Sequence, residues 1–440
     1  MSTRRGWLAG SAMIAVLLVA GPAAAKTEIQ WWHAMSGPLG EKVGKIAADF
    51  NASQSEYEVK AVYKGSYAET MTGAIAAFRA KQHPHIVQVF EVGTATMMAA
   101  KGAVYPVYQL MADAGEPFDP KSYLPAVVGY YTTARGEMLS FPFNSSTPVM
   151  YYNKNAFEKA GLDPAKPPAT WPEVEAAAKK LLAAGYPCGF TTQWPSWIQV
   201  ENWSAWHNQP LGTLENGFGG LGTELVINKT KLVDHIAALG AWQKSKIFDY
   251  GGRRGDADPK FFNQQCPIFF ASSAAYAAVK ANAKDFAWGI AMLPYWPHIE
   301  GAPQNSIIGG ASLWVLRGHK PEEYKGVAKF FSYLSKPEVQ AWWHQETGYL
   351  PITPAAYELT KKSGFYEKNP GTETSILQIT NKPPTANSKG LRFGNFVQIR
   401  DIIEEELEAV FQGKKGAQEA LDSAAKRGNE LLRQFEKANS

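Results

Sequence analysis

The residues between 27 and 90 alternate between strand and helix patterns, and this alternation constrains the fold more than any other feature of the chain. Apolar strand patterns occupy 27–33, 57–63 and 85–90. The two segments between them carry helix patterns, and the second of these helices is predicted over 67–79. A β-α-β-α-β order predicts a parallel sheet with right-handed crossover connections. In such sheets ligands bind beyond the carboxyl ends of the strands, so we expect a binding site at that edge.

A second unit begins near Phe141 and repeats the mixture of strands and helices. Strand patterns recur at 149–153 and 188–192, and a helix follows Thr170, which forms the pattern of a capping box with Glu173. Further short apolar runs and amphipathic patterns occupy 268–272, 312–316, 397–411 and 417–438. We expect the two short runs to carry the chain back across a hinge and the last two patterns to be terminal helices.

The first 25 residues have the pattern of a removable signal peptide. Arg4 and Arg5 precede an apolar run at 7–19, and three alanines at 23–25 provide a small-residue cleavage site. This predicts export to the periplasm, and the arginine pair leaves both Sec and twin-arginine export open. About 415 residues remain, which is long for a single core and favours two lobes.

Composition limits the classes of function. The formal net charge of +4 comes without a block of Lys or Arg, so we expect no nucleic-acid partner and no binding to a membrane surface. The two cysteines, Cys188 and Cys266, form no CxxC motif; a disulfide and a pair of free buried thiols are both open. The eight histidines show no ligand spacing, so no metal or cofactor is predicted.

Catalytic motifs are missing from the sequence. It contains no GxSxG, HExxH or Walker A pattern and no compact His/Asp cluster. The one catalytic pair that can be imagined joins Glu91 to a second carboxylate, Glu137 or Glu201, as in a glycosidase. We therefore predict that the protein is not an enzyme, with a secreted glycosidase as the distant alternative.

Several separated segments combine Gly, Ser, Tyr or Asn with a neighbouring apolar run. They lie at 65–67, 143–148, 308–312 and 344–351. This pattern favours a ligand cleft built from loops of two lobes, with the chain crossing between the lobes several times. Such a cleft suits the capture of a small polar molecule.

The same segments resemble those of the sn-glycerol-3-phosphate-binding proteins of Ugp-type ABC importers, a branch of the maltose-binding-protein-like solute receptors. The resemblance covers nearly the whole chain after the signal peptide and rests on 32–33, 63–67, 91–98, 142–148, 302–305, 309–314, 347–352 and 389–392. It implies a monomeric periplasmic receptor that captures the ligand by hinge closure and delivers it to membrane permease subunits.

The resemblance also implies a fold and a domain division. The fold is the α/β two-lobe solute-binding fold of type II, in which each lobe is a mainly parallel sheet flanked by helices and joined by hinge segments. The expected lobes are 26–145 with 272–315, and 146–271 with 316–440.

Residue by residue, the resemblance implies a set of ligand contacts and flanking tryptophans. They are Tyr67, Glu91, Ser146, Trp194, Trp197, Ser272, Gly310, Tyr349 and Arg400. Arg400 suits the phosphate because a guanidinium donates in a planar fork and is always charged. Glu91 is expected to accept from glycerol hydroxyls, because a carboxylate repels phosphate. The two tryptophans would flank the glycerol carbon atoms.

Two other ligands stay open at this point. Glycerophosphocholine is an alternative main ligand, because tryptophan rings can face a quaternary ammonium. A neutral oligosaccharide is the second alternative, and it predicts binding that does not depend on Arg400.

Overall fold

We describe the protein from a computed structural model that covers residues 1–2, 25–100 and 102–440. The predicted charged and apolar parts of the signal peptide, with Ala23 and Ala24, lie outside these residues. Within them, no helix combines the length and apolar character needed to cross a membrane.

Ten β-strands form two sheets in the described residues. They are β1 (Thr27–His33), β2 (Tyr57–Tyr63), β3 (Ile86–Phe90), β4 (Val104–Tyr105), β5 (Phe141–Ser146), β6 (Pro148–Asn153), β7 (Phe190–Thr192), β8 (Ile268–Ser272), β9 (Trp288–Ala291) and β10 (Gly309–Leu316).

Nineteen α-helices cover the sheets and form the carboxyl-terminal part of the described chain. They are α1 (Gly37–Ser53), α2 (Tyr67–Arg79), α3 (Thr94–Ala99), α4 (Val107–Asp113), α5 (Pro125–Tyr131), α6 (Lys154–Lys159), α7 (Trp171–Ala183), α8 (Trp203–Trp206), α9 (Thr213–Asn216), α10 (Leu232–Lys244), α11 (Asp258–Phe262), α12 (Tyr276–Asn282), α13 (Pro321–Leu334), α14 (Pro337–Thr347), α15 (Pro354–Lys362), α16 (Phe365–Lys368), α17 (Thr374–Ile379), α18 (Phe396–Phe411) and α19 (Ala417–Asn439).

The first sheet contains the predicted parallel core. Its order is β2-β1-β3-β10-β4, and β5 also pairs with β10. β1 is parallel to both β2 and β3, as the alternation predicts. Helix α2 begins where the sequence predicts because Ser66 and Glu69 form a capping box, in which Ser66 N–H donates to the Glu69 carboxylate over 2.6 Å.

The second sheet has the order β7-β8-β6-β9. Only β7 and β8 are parallel, and β6 runs antiparallel to both β8 and β9. In the first sheet β10 is antiparallel to β3, β4 and β5. The expectation of mainly parallel sheets is therefore wrong outside β1 to β3 and the β7–β8 pair. β6 and β10 each enter directly from a strand of the other sheet, so neither needs the crossover connection that joins parallel neighbours.

The chain passes between the two sheets at places that differ from the predicted lobe boundaries. Thr147 alone separates β5 in the first sheet from β6 in the second. β9 belongs to the second sheet although 272–315 was expected to join the first, so the return passage lies between residues 292 and 308. Helix α13, expected in the second lobe, packs its Val327 and Phe330 into the core of the first sheet. The amphipathic face of α13 requires an apolar partner, and β1 provides it.

A disulfide joins Cys188 to Cys266 in the second sheet region, next to β7 and β8. The sequence had left this pairing open.

Candidate functional site

A cavity of about 380 Å³ lies between the two sheets, and all nine residues expected to contact or flank the ligand line it. The first sheet contributes strand ends, because Glu91 directly follows β3 and Ser146 ends β5. The second sheet contributes Ser272 at the end of β8. The cavity thus lies at the edge that the strand order predicts.

Two tyrosines form one wall, and polar side chains from two strands hold one of them, Tyr67. Asn144 donates through Nδ2 to the Tyr67 hydroxyl over 3.0 Å and accepts from Gln88 Nε2 over 2.8 Å. The Tyr67 ring stacks on Phe90, and the Tyr349 ring stacks on Trp343. Burial raises the pKa of both tyrosines, so each phenol stays protonated and can donate to a ligand.

Arg400 occupies the floor of the cavity and is buried, with 7% of its surface exposed. Its Nε donates to Glu201 Oε1 over 2.8 Å, and its Nη2 lies 2.6 Å from both Glu201 Oε2 and Glu91 Oε1. Burial disfavours the charged form of Arg400, but the carboxylates of Glu201 and Glu91 outweigh it and raise the pKa of the guanidinium above its usual value. Arg400 is therefore fixed in its charged form.

The carboxylates change how Arg400 has to be understood. The resemblance implies a guanidinium that binds the phosphate of the ligand, and the structure shows this guanidinium shared by two glutamates. Its Nη1 has no hydrogen bond among the described residues and remains to donate. Glu201, which binds two of the three guanidinium nitrogens, was considered from sequence only as one half of a glycosidase pair. Glu201 lies in a π-helix at Ser196–Asn202, and no pattern in the sequence indicates this π-helix.

A third buried carboxyl group lies behind this cluster. Glu404 in α18 accepts from the Ser196 backbone N–H over 2.8 Å, and its Oε2 has no partner among the described residues. Burial raises the pKa of Glu404 to about 7, against the opposing effects of the Ser196 hydrogen bond and the charge of Arg400. Burial also raises the pKa of Glu91, and Arg400 opposes that shift.

Two glycines of β10 allow close packing at the cavity wall. Gly310 has φ +88°, and a Cβ there would lie 1.8 Å from the Asn144 carbonyl oxygen. A Cβ on Gly309 would lie 2.4 Å from the Trp197 ring. Both positions therefore require glycine, and the missing Cβ of Gly309 lets the Trp197 ring approach the strand. The Trp197 indole N–H has no partner among the described residues.

The wall formed by the second sheet includes residues that the sequence analysis missed. Gln193 accepts from Ser272 N–H over 3.2 Å and donates to Asp258 Oδ1 over 2.5 Å. Burial raises the pKa of Asp258 to about 6. Arg254 also lines the cavity, and its carbonyl accepts from Trp194 N–H over 3.0 Å. Neither Asp258 nor Arg254 lies in a segment with a recognisable pattern, so no signal in the sequence singled them out.

Within the described part of the chain, two groups of side chains have the composition of metal ligands, and both lie away from the cavity. One contains Cys188 and Cys266, whose sulfurs are joined to each other, together with Asp249. The other contains His85, His319 and Glu323. His85 Nδ1 accepts from the Gln30 backbone N–H over 3.0 Å, so its neutral ring carries the proton on Nε2, the atom that faces the group.

The sequence matches known proteins over most of its length. Residues 45–374 match the profile of the bacterial extracellular solute-binding protein family. An sn-glycerol-3-phosphate-binding periplasmic protein, UgpB of Yersinia pseudotuberculosis, is 54% identical over 418 residues, 95% of each chain. The protein of that name from Salmonella typhimurium is 52% identical over 424 residues, 96% of each chain.

Solved structures share the fold at low sequence identity. UgpB from Mycobacterium tuberculosis, in complex with glycerophosphocholine, is 21% identical with a TM-score of 0.75, over 93% of this chain and 99% of that one. Maltose-bound MalE3 of T. maritima is 20% identical with a TM-score of 0.74, over 92% and 100%. These neighbours confirm the two-lobe α/β solute-binding fold.

Proposed function

Because the chain belongs to the bacterial extracellular solute-binding protein family, we propose that it is a periplasmic receptor for sn-glycerol-3-phosphate and glycerophosphodiesters. Relatives more than half identical over 95% of the chain are named for binding the first of these compounds. The receptor delivers its ligand to the permease subunits of an ABC importer and acts as a monomer.

The convergence of neutral donors, one fixed cation and an aromatic wall in a single cavity carries this proposal. Ser146, Ser272 and Gly310 line the same cavity as Arg400. Neutral donors of this kind hold a phosphate oxygen without needing to neutralise it, and Arg400 Nη1 adds a charge-assisted hydrogen bond. A volume of about 380 Å³ falls in the range of small-molecule sites.

Glu91 suits the glycerol part of the ligand. Its Oε1 is bound to Arg400, which leaves lone pairs to accept from hydroxyl groups. Because the carboxylate repels phosphate, the ligand binds with its hydroxyl end toward Glu91. The Trp194 and Trp197 rings then cover the carbon atoms.

The arrangement of the carboxylates favours binding over catalysis. Glu91 and Glu201 are bound to one guanidinium, and Glu201 is 1% exposed. A glycosidase pair instead flanks the scissile bond, with one member protonated to act as the acid. Glu201 is therefore not free to act as the second carboxylate that the glycosidase alternative requires.

Glycerophosphocholine is a second candidate ligand, and one observation favours it. Asp258 lines the cavity together with Trp194 and Trp197. A carboxyl group beside two aromatic rings suits a quaternary ammonium. A phosphodiester with a choline group would therefore place its cation on the second-sheet wall.

Titration calorimetry with sn-glycerol-3-phosphate, glycerophosphocholine, glycerol and maltose tests the proposal. One-to-one binding of either phosphate compound, with no heat from glycerol or maltose, supports it and ranks the two ligands. Binding of maltose without binding of a phosphate ester would assign the protein to the sugar receptors. Turnover of a glycoside would contradict a pure receptor role.

A further inference from the structure

The residues that line the cavity carry too little positive charge to balance a bound phosphate ester. Among the lining residues of the described chain, the cations are Arg400 and Arg254, and the anions are Glu91 and Asp258. Arg400 is already bound to two carboxylates, with Glu404 close behind. A monoester approaches a charge of −2 at neutral pH. Arg400 alone therefore does not balance such a ligand.

Arg254 is placed to provide the missing charge. Its side chain is exposed, and none of the ion pairs within residues 25–100 and 102–440 includes it. The adjacent Arg253 behaves differently, because its Nε and Nη2 each donate to Glu408 over 2.8 Å. Of this pair of arginines, only Arg254 is left to contact a ligand.

The backbone conformation at Arg254 fixes the position from which its side chain extends. Its φ of +55° is left-handed, and its carbonyl oxygen accepts from Trp194 N–H over 3.0 Å. This ties Arg254 to the tryptophan segment at the cavity wall. Across the cavity, Ser66 caps α2, and the pKa of Glu69 is lowered mainly by its hydrogen bonds with Ser66 and in smaller part by the charge of Arg254. Arg254 therefore faces the first-sheet wall from the second.

We propose that Arg254 is a specificity-determining ligand contact that donates to the phosphate from the mouth of the cavity and favours monoesters over diesters. This inference rests on the proposed function. A guanidinium at the mouth can turn onto a bound phosphate while its backbone stays in place. A monoester carries more charge than a diester, so it gains more from this contact.

The test compares the Kd values of the wild type and three variants for sn-glycerol-3-phosphate and glycerophosphocholine, measured by calorimetry at one ionic strength. The variants are Arg254→Ala, Arg254→Lys and the control Lys166→Ala. Lys166 follows α6, and its side chain is 84% exposed. The control removes one positive charge without touching the cavity. Thermal unfolding of each variant reports any structural effect.

We expect Arg254→Ala to raise the Kd for sn-glycerol-3-phosphate about tenfold or more, and that for glycerophosphocholine by less. Arg254→Lys should restore most of the affinity that Arg254→Ala loses. The Kd values of Lys166→Ala should stay within about twofold of those of the wild type. The melting temperature of each variant should equal that of the wild type. An unchanged Kd for Arg254→Ala, or equal losses for both ligands that lysine does not restore, would overturn the inference while the proposed function stands. Failure of the wild type to bind either phosphate ester would overturn both.

Discussion

At the scale of the residue, the cavity depends on a buried cluster in which one guanidinium is bound by two carboxylates. Glu91, Glu201 and Arg400 are each 7% exposed or less. Such clusters contribute little net stability when intact, but removal of one partner leaves a buried charge without compensation. Glu91 and Glu201 therefore fix the Arg400 guanidinium in place and leave its Nη1 without a partner among the described residues.

Arg400→Ala is expected to cost about 3–5 kcal/mol of unfolding free energy and to abolish binding of sn-glycerol-3-phosphate, because Glu91 and Glu201 lose their common partner. Urea unfolding and calorimetry measure the two effects. Arg135→Ala is a suitable control, since its side chain is 80% exposed. Adding Glu201→Gln to Arg400→Ala should recover part of the stability but not the binding. Binding that survives Arg400→Ala would remove the guanidinium from the phosphate site.

The raised pKa of Glu404 predicts how the stability of the protein depends on pH. Its pKa is raised to about 7 in the folded protein by burial, whereas an unfolded glutamate has a value near 4.5. The folded state therefore holds a proton that the unfolded state has released, and stability falls as pH rises from about 4.5 to about 7.

Glu404→Gln should remove this dependence. Relative to the wild type, we expect the variant to be more stable at about pH 8 than at about pH 5, by at most about 3 kcal/mol. Urea unfolding of both proteins at the two pH values gives the difference directly, and the histidines that both proteins share cancel. A difference that does not change with pH would show that Glu404 stays ionised.

At the scale of the element, β10 packs closely against β5 and the Trp197 ring because two of its residues lack a side chain. Gly310→Ala would place a Cβ 1.8 Å from the Asn144 carbonyl oxygen at a left-handed φ. We expect a loss of about 2 kcal/mol or more of unfolding free energy and weaker ligand binding, because β5 and β10 must move apart.

Gly44→Ala is the matched control for that variant. Gly44 is exposed on α1, and a Cβ there would meet nothing within 4 Å. The substitution should raise stability by up to about 1 kcal/mol, because alanine is the better helix former. Equal stability of the two variants would mean that the contact between β5 and β10 is not constrained by Gly310.

At the scale of the whole molecule, the cavity lies between two sheets that three passages of the chain connect. The division by sheet that we propose for the lobes follows these passages. They are Thr147, residues 292–308, and the segment that leads from α14, which contacts α1, to α17, which contacts β6. A ligand bound between such lobes stabilises the closed arrangement only by its extra affinity for it.

Small-angle X-ray scattering should show a smaller radius of gyration when sn-glycerol-3-phosphate is added. The reason is that closure around the ligand brings the lobes together. Trp194 lines the cavity, so its fluorescence should change at the same ligand concentration. Maltose is the control and should change neither signal. A constant radius of gyration at saturation would show that the ligand enters a cavity that is already closed.

Local patterns were enough to predict much of the fold. The strands at 27–33 and 57–63 and the helix at 67–79 have the predicted bounds, because each is specified by periodicity and capping within a few residues. The two terminal helices also begin and end within one residue of their predicted bounds. The nine proposed ligand residues came from the resemblance, and the structure places all of them on one cavity.

The sequence by itself determined the order of the elements, the β-α-β-α-β core, the family and the nine residues that we propose as ligand contacts. The tertiary structure decided the antiparallel pairing of β10, the Cys188–Cys266 bond, the presence of Arg254 at the cavity and the sharing of Arg400. The physical reason is distance along the chain. Arg400 meets Glu201 across 199 positions and Glu91 across 309, and no local pattern encodes contacts that only the packing of two sheets creates.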